Sequence, residues 1–321
     1  MSKFTIVFLI ALLSLSASQK GVAQDRVWAH DQSIEQISEH VYRFGSDNQF
    51  GAYIVTDEGI IVIDGHYCGS DTVAWLKAEL EKRYDVPVKY TILSHDHPDH
   101  TCGSELFDDT SIAIASRYLR PHMIFENRKS AVPEILFDNE LDLHLGGVYL
   151  KLMYLGPTHS DNLIQVHVPD ERVLIAIDSA KGKRLFPDYR DMEVNNQLRA
   201  LKILANLPDV DIVLPGHGPI TTQEAFMQSR RFIEAMKMSV LELMADGRPL
   251  QEIKVRVAAT ITDEFGGDYA PLDQYLESNI VSMYHYLYRY REPNISIKPD
   301  DAIRCIEDST QCRTSSVKPE S

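Results

Sequence analysis

The sequence predicts an α/β protein. Two observations carry this expectation: short runs rich in Val and Ile recur between turn residues, and several alternate with stretches of helical periodicity. Strand-like runs at 41–44, 52–55 and 60–63 are separated by turn residues such as Asp57, Glu58 and Gly59. In 72–84, Val73, Leu76 and Leu80 fall on one side and Glu79, Glu81 and Lys82 fall away from it, the pattern of an amphipathic helix. A strand at 88–93 follows, then a strand at 111–115, a helix near 117–125, and strands at 141–145 and 148–154. The runs 173–177 and 210–214 are the last strands, and 193–205, 223–244, 250–261 and 272–290 read as helices.

The stretch that points to chemistry is Ser94-His95-Asp96-His97-Pro98-Asp99-His100. It follows a strand directly, so it reads as a loop that can aim His95, His97, Asp99 and His100 at a common point. Imidazole and carboxylate together suit zinc or non-haem iron better than magnesium, which prefers oxygen alone. Pro98 stiffens the turn.

Further donors stand at other strand-to-loop junctions. His159 lies in the turn Gly156-Pro157-Thr158-His159-Ser160-Asp161-Asn162, Asp178 ends the run 173–177, and His217 sits in Pro215-Gly216-His217-Gly218. His66, a lone histidine two residues past Asp64, reads as a surface or rim residue. His122, His144 and His167 read as structural.

In the order and spacing of these motifs, over about residues 33–222, the sequence resembles the metallo-β-lactamase superfamily of hydrolases. The resemblance implies a four-layer αβ/βα sandwich with a helical C-terminal extension. It also implies two metals: His95, His97 and His159 on the first, Asp99, His100 and His217 on the second, and Asp178 bridging them. This set is similar to that of the glyoxalase II and lactonase branches, whereas the best-known zinc β-lactamases place Cys where Asp178 stands or lack the bridging carboxylate. In the family, an aspartate at the position of Asp64 orients the metal loop by hydrogen bonds; a turn or cap residue is the plainer reading.

Residues 1–23 carry Lys3, an apolar core from Phe4 to Leu15 and a small-residue ending, the pattern of a secretory signal peptide. The apolar part is short for a membrane span, and no later stretch is long and apolar enough for one. The domain reading is therefore a signal peptide at 1–23, a catalytic domain at 24–222, a helical extension at 223–292 and a flexible tail at 293–321. The expected location is periplasmic or secreted. The formal net charge is −15, and removing Lys3 and Lys20 makes it more negative, which argues against nucleic acid as a general partner. The tyrosines of 272–290 read as core, as an inter-helix contact, as a cover over the pocket or as the contact of a homo-oligomer.

Cys68, Cys102, Cys305 and Cys312 allow three pairings. If the fold is of the type resembled, the loops of Cys68 and Cys102 line one rim, which suggests Cys68 with Cys102 and Cys305 with Cys312. A thiolate of Cys102 near a metal is the alternative. The basic patch 179–186 contains Lys181, where some zinc β-lactamases keep a lysine for a substrate carboxylate; an anionic small-molecule substrate or a solvated loop would each explain it.

The function expected is an exported binuclear zinc hydrolase that uses a metal-activated hydroxide on an ester, lactone, thioester or β-lactam, with Asp99 or a metal-bound water returning the proton. Iron or manganese are the alternative metals. A phosphodiesterase on the same metals and a single-iron sulfur dioxygenase are the competing activities.

Overall fold

The computed structural model describes residues 31–179, 183–189, 191–267, 269 and 271–289. The signal-peptide and tail expectations, Lys181, Cys305 and Cys312 lie outside the described residues. The first sheet has seven strands in chain order: β1 (Ser33–Gln36), β2 (Val41–Ser46), β3 (Gln49–Thr56), β4 (Gly59–Ile63), β5 (Val88–Ile92), β6 (Ile112–Ser116) and β7 (Ile135–Phe137). The strands β1 to β4 form an antiparallel meander, and β4 to β7 run parallel. Helix α1 (Thr72–Arg83) provides the crossover from β4 to β5; α2 (Pro98–Thr101) and α3 (Leu119–Glu126) follow β5 and β6.

The second sheet runs in the order β12-β11-β10-β9-β8, from β8 (Glu140–Leu145), β9 (Val148–Tyr154), β10 (Ile164–Val168), β11 (Val173–Ile175) and β12 (Ile212–Leu214). Only β11 and β12 pair parallel there, joined through α4 (Val194–Leu204). Three more helices, α5 (Glu224–Ala245), α6 (Leu250–Phe265) and α7 (Leu272–Tyr288), follow β12.

The period of two along a strand explains the layers. In β4, Ile61 and Ile63 face the core between the sheets, while Ile60 and Val62 face α1 and its Val73, Leu76 and Leu80. In β11, Val173 and Ile175 face the same inter-sheet core, while Leu174 faces α4 to α7. Strands buried on both faces have to be apolar throughout, which is why these segments read as continuous hydrophobic runs. The result is helix, sheet, sheet, helix, the αβ/βα sandwich that the resemblance implied.

The metal loop departs from the expectation in one respect. Asp99 and His100 stand on a single helical turn, α2, instead of on an irregular loop. Pro98 takes its first position, where a missing N–H costs nothing and the fixed φ favours the helix. Two short edge strands, β1 and β7, also escape the sequence pattern because they are largely exposed.

Candidate metal centre

The loops that leave β5, β9, β11 and β12 meet at one end of the two sheets. His95, His97, His159 and Asp178 form one group whose ligand atoms all lie within 4.8 Å of one another, and Asp99, His100 and His217 form a second to the same limit. The Asp178 carboxylate stands between them. Its Oδ2 is 3.2 Å from His159 Nε2, 3.8 Å from His95 Nε2 and 3.6 Å from His100 Nε2, and its Oδ1 is 3.7 Å from His217 Nε2. His159 Nε2 lies 3.1 Å from His97 Nδ1, and Asp99 Oδ2 lies 3.2 Å from His217 Nε2.

The backbone is shaped for this convergence. Asp64 and Asp178 both take left-handed φ values, 67° and 51°, where short polar side chains are better tolerated than most. Asp178 sits at the centre of a tight turn in which Ser179 N–H donates to Ile177 O at 2.7 Å. Gly216 is required by proximity: a Cβ there would lie 2.7 Å from His100 Cε1 and 3.0 Å from Asp178 Oδ1.

Supporting residues orient the donors. Asp64 is fully buried; its carboxylate accepts from Ser94 N–H and from Ser94 Oγ–H, and one oxygen lies 3.3 Å from His100 Nδ1. The orienting role read for Asp64 thus has a geometric basis. Asn162 grips the metal loop at Asp96, its Oδ1 accepting from Asp96 N–H at 2.9 Å and its Nδ2 donating to Asp96 Oδ1 at 2.8 Å. Arg43 donates to the carbonyls of Gly218 and Pro215, and Asn48 Oδ1 accepts from Gly218 N–H, so the His217 loop is held from β2 and the β2–β3 turn. Gln49 donates to Asp99 O and packs its amide against His100. Sequence reasoning missed Arg43, Asn48, Gln49 and Asn162, whose burial and contacts appear only once the strands are assembled.

Electrostatics favours opposite charges here. Burial would raise the Asp99 carboxyl, but the His100 and His217 rings overcome it and pull its pKa down to about 2. Burial likewise opposes ionisation of Asp178, and His217 and His100 drive it well below the usual carboxylate range. His95 behaves differently: burial, then the neighbouring His97 and His100 rings, hold it well below the ordinary imidazole range.

The donor set fits a pair of cations. His95 Nε2 is buried without a hydrogen-bond partner and faces the Asp178 carboxylate. A buried polar atom rarely stays unsatisfied, and an imidazole nitrogen held neutral by burial is the form that binds a metal.

Beside the donors opens a cleft of about 380 Å³, lined by His97, Asp99, His159, Asp178 and His217 on its floor. Tyr67, Leu185, Phe186, Tyr189, Met192 and Tyr275 form apolar walls, and Arg184, Asp188 and Asp191 add charge. The basic patch therefore contributes Arg184 to the cleft. The Phe186 ring stacks on His159 with centroids 4.4 Å apart.

Two histidines and two cysteines lie beside the donor set. His66 is fully buried, not on a rim; its Nε2 lies 3.3 Å from Ser46 O, because the β4 exit folds under the metal loop. His122 is remote in sequence yet lies 3.6 Å from Asp96 Oδ2 and 3.1 Å from Asp161 Oδ1. With Asp96 and Glu126 it forms a third group of possible ligands, but Arg128 already pairs with Glu126 and donates to Asp96 O, supplying a positive charge. Cys68 and Cys102 form a disulfide with Cα atoms 4.9 Å apart, so Cys102 is not a free thiolate.

Two sandwiched sheets with clustered histidines and carboxylates at the strand ends form a candidate metal site, and the family match makes the chain a metal-dependent hydrolase of its superfamily. The family model of the metallo-beta-lactamase superfamily matches residues 49–217, and the chain belongs to that superfamily. Among curated relatives, a metallo-beta-lactamase type 2 of Elizabethkingia meningoseptica is 23% identical over 71% of this chain and 92% of its own length. The 2,4-dinitroanisole O-demethylase subunit alpha of Nocardioides sp. (strain JS1661) is 21% identical over 81% of each. Among solved structures, a metallo-beta-lactamase from Pontibacter korlensis aligns with a TM-score of 0.57 at 18% identity, covering 63% of this chain and 99% of that one.

Proposed function

We propose that the protein is an exported binuclear zinc hydrolase of acyl bonds, in an ester, lactone, thioester or β-lactam. His95, His97 and His159 would hold one zinc, Asp99, His100 and His217 the other, with Asp178 shared. The observation that carries this reading is the Asp178 carboxylate, whose two oxygens face the two donor groups. Zinc bound there supplies a water acidified to a pKa of about 7 and a polarised carbonyl.

The chain's own residues do the rest. Asp99, open to the cleft, is the group assigned to pass a proton to the leaving group. The apolar walls from Tyr67, Phe186, Tyr189 and Tyr275 seat the acyl group and exclude bulk water. Arg184 offers a cationic anchor for a carboxylate-bearing substrate, a role the proposal extends from the sequence to Lys181, outside the described residues. Export is supported by the signal-like N-terminus and by the disulfide, which persists in oxidising compartments. No helix among the described residues is long and apolar enough to cross a membrane.

Metal analysis of untagged protein, followed by a hydrolase panel, tests the proposal. Two zinc ions per chain and turnover of a nitrophenyl ester, a lactone, a thioester or a cephalosporin are expected. Turnover of bis-nitrophenyl phosphate alone, or iron with oxygen uptake, would overturn it.

A further inference from the structure

Helix α7 lies beyond the stretch matched by the family model, yet it reaches the metal centre. Tyr275, Asn279 and Tyr286 share one face of it, at spacings of four and seven residues. Tyr275 lines the cleft. Asn279, with no exposed surface, donates from Nδ2 to Phe186 O at 2.9 Å and to Tyr275 O at 2.7 Å, and approaches Pro187 O at 3.4 Å. Ser278 Oγ–H also donates to Pro187 O. Two helical turns further, the Tyr286 hydroxyl donates to Glu193 and accepts from Asn195 N–H at 3.2 Å. The helix thus grips the cleft segment on both sides, at Phe186–Pro187 and at Glu193–Asn195.

What it grips bears on a metal donor, since the Phe186 ring stacks on His159. Asn279 Oδ1 has no hydrogen-bond partner, so this buried amide is used only as a donor. A carboxylate of the same shape would present oxygen to carbonyl oxygens, whereas leucine would fill the same space and remove only the grip.

We infer that Asn279 is a positioning residue for the metal centre, holding Phe186 against His159, and that α7 through Asn279 and Tyr275 determines which acyl groups the cleft admits. The second half of this inference rests on the acyl-hydrolase reading; the first does not. The class of substrate favoured is one with an aromatic or bulky apolar acyl group, seated between Phe186 and Tyr275.

Asn279→Leu, Phe186→Ala and Tyr275→Ala in the full chain test it. Zinc affinity is read by competition with a fluorescent chelator, selectivity from kcat and KM on phenylacetyl and acetyl nitrophenyl esters, and folding from the melting temperature. Asn279→Leu and Phe186→Ala should each weaken zinc binding about tenfold, the range seen when a ligand loses its supporting contact, in protein whose melting temperature stays well above that of the titration. In Tyr275→Ala the ratio of kcat/KM for the phenylacetyl over the acetyl ester should fall about tenfold, mainly through KM. Wild-type zinc affinity in Asn279→Leu and Phe186→Ala overturns the positioning role, and an unchanged ester ratio in Tyr275→Ala overturns the specificity role. If Asn279→Leu does not fold, Phe186→Ala on the cleft surface decides the first question alone. A wild-type protein inactive on every acyl substrate overturns the specificity role together with the acyl reading, while the zinc titration still decides the positioning role.

Discussion

Asp64 accepts two hydrogen bonds from Ser94, one from the backbone N–H and one from the hydroxyl, both at 2.7 Å. The residue that starts the metal loop is therefore fixed to the end of the neighbouring strand. Asp64→Ala removes both acceptors and the carboxylate beside His100. Zinc affinity should fall by about 10- to 100-fold, measured by chelator competition; an unchanged affinity would remove Asp64 from the support of the site.

Asp178 faces both donor groups at once. Asp178→Ala should lower zinc content below two ions per chain and kcat by at least about a hundredfold, the scale on which metal-site partners act. Elemental analysis after gel filtration and ester kinetics give the two readouts. Full zinc content in the variant would argue against a shared ligand.

His66 contributes its own pH dependence to stability. Burial holds its ring below the ordinary imidazole range, so it stays neutral in the folded state at pH values where the unfolded chain is protonated. Its contribution to stability is fully present above about pH 6.5 and is lost as pH falls towards its lowered folded value. Urea midpoints of zinc-free protein should fall between pH 7.5 and pH 5, and His66→Gln should flatten that slope. An identical slope in the variant would exclude the assignment.

Much of the candidate site was legible because its histidines and carboxylates concentrate at strand ends. His95, His97, Asp99 and His100 crowd into one heptad, and His159, Asp178 and His217 each follow an apolar run. The supporting residues were not legible, since Arg43, Gln49 and Asn162 act through contacts between segments distant in sequence and look like ordinary strand and turn residues. His66 misled for the same reason: nothing local says that the chain leaving β4 passes beneath the metal loop. The layers followed from continuous apolar strands, whereas β1 and β7, with exposed faces, gave no periodic signal. The role of Tyr275 and Asn279 depends on how α7 docks, which helical periodicity alone does not specify.

The disulfide joins the segment carrying Tyr67, a cleft wall, to the end of α2. Replacing Cys68 and Cys102 together by Ser should lower stability by about 2–4 kcal/mol, read from urea unfolding. KM should rise as the Tyr67 wall loosens. A variant with wild-type KM would show that the wall stands without the bridge.

The donors are divided between the two sheets: His95, His97, Asp99 and His100 leave β5 of the first, and His159, Asp178 and His217 leave strands of the second. Each proposed ion would accordingly rivet the two half-shells of the molecule at their open edge, where the inter-sheet oil layer runs out. Chelation should then do more than silence the enzyme, since ligand binding to the native state alone adds to its cohesion. The halves would part more readily, and scarcity of the ion would be felt as shortened lifetime of the protein as well as lost turnover.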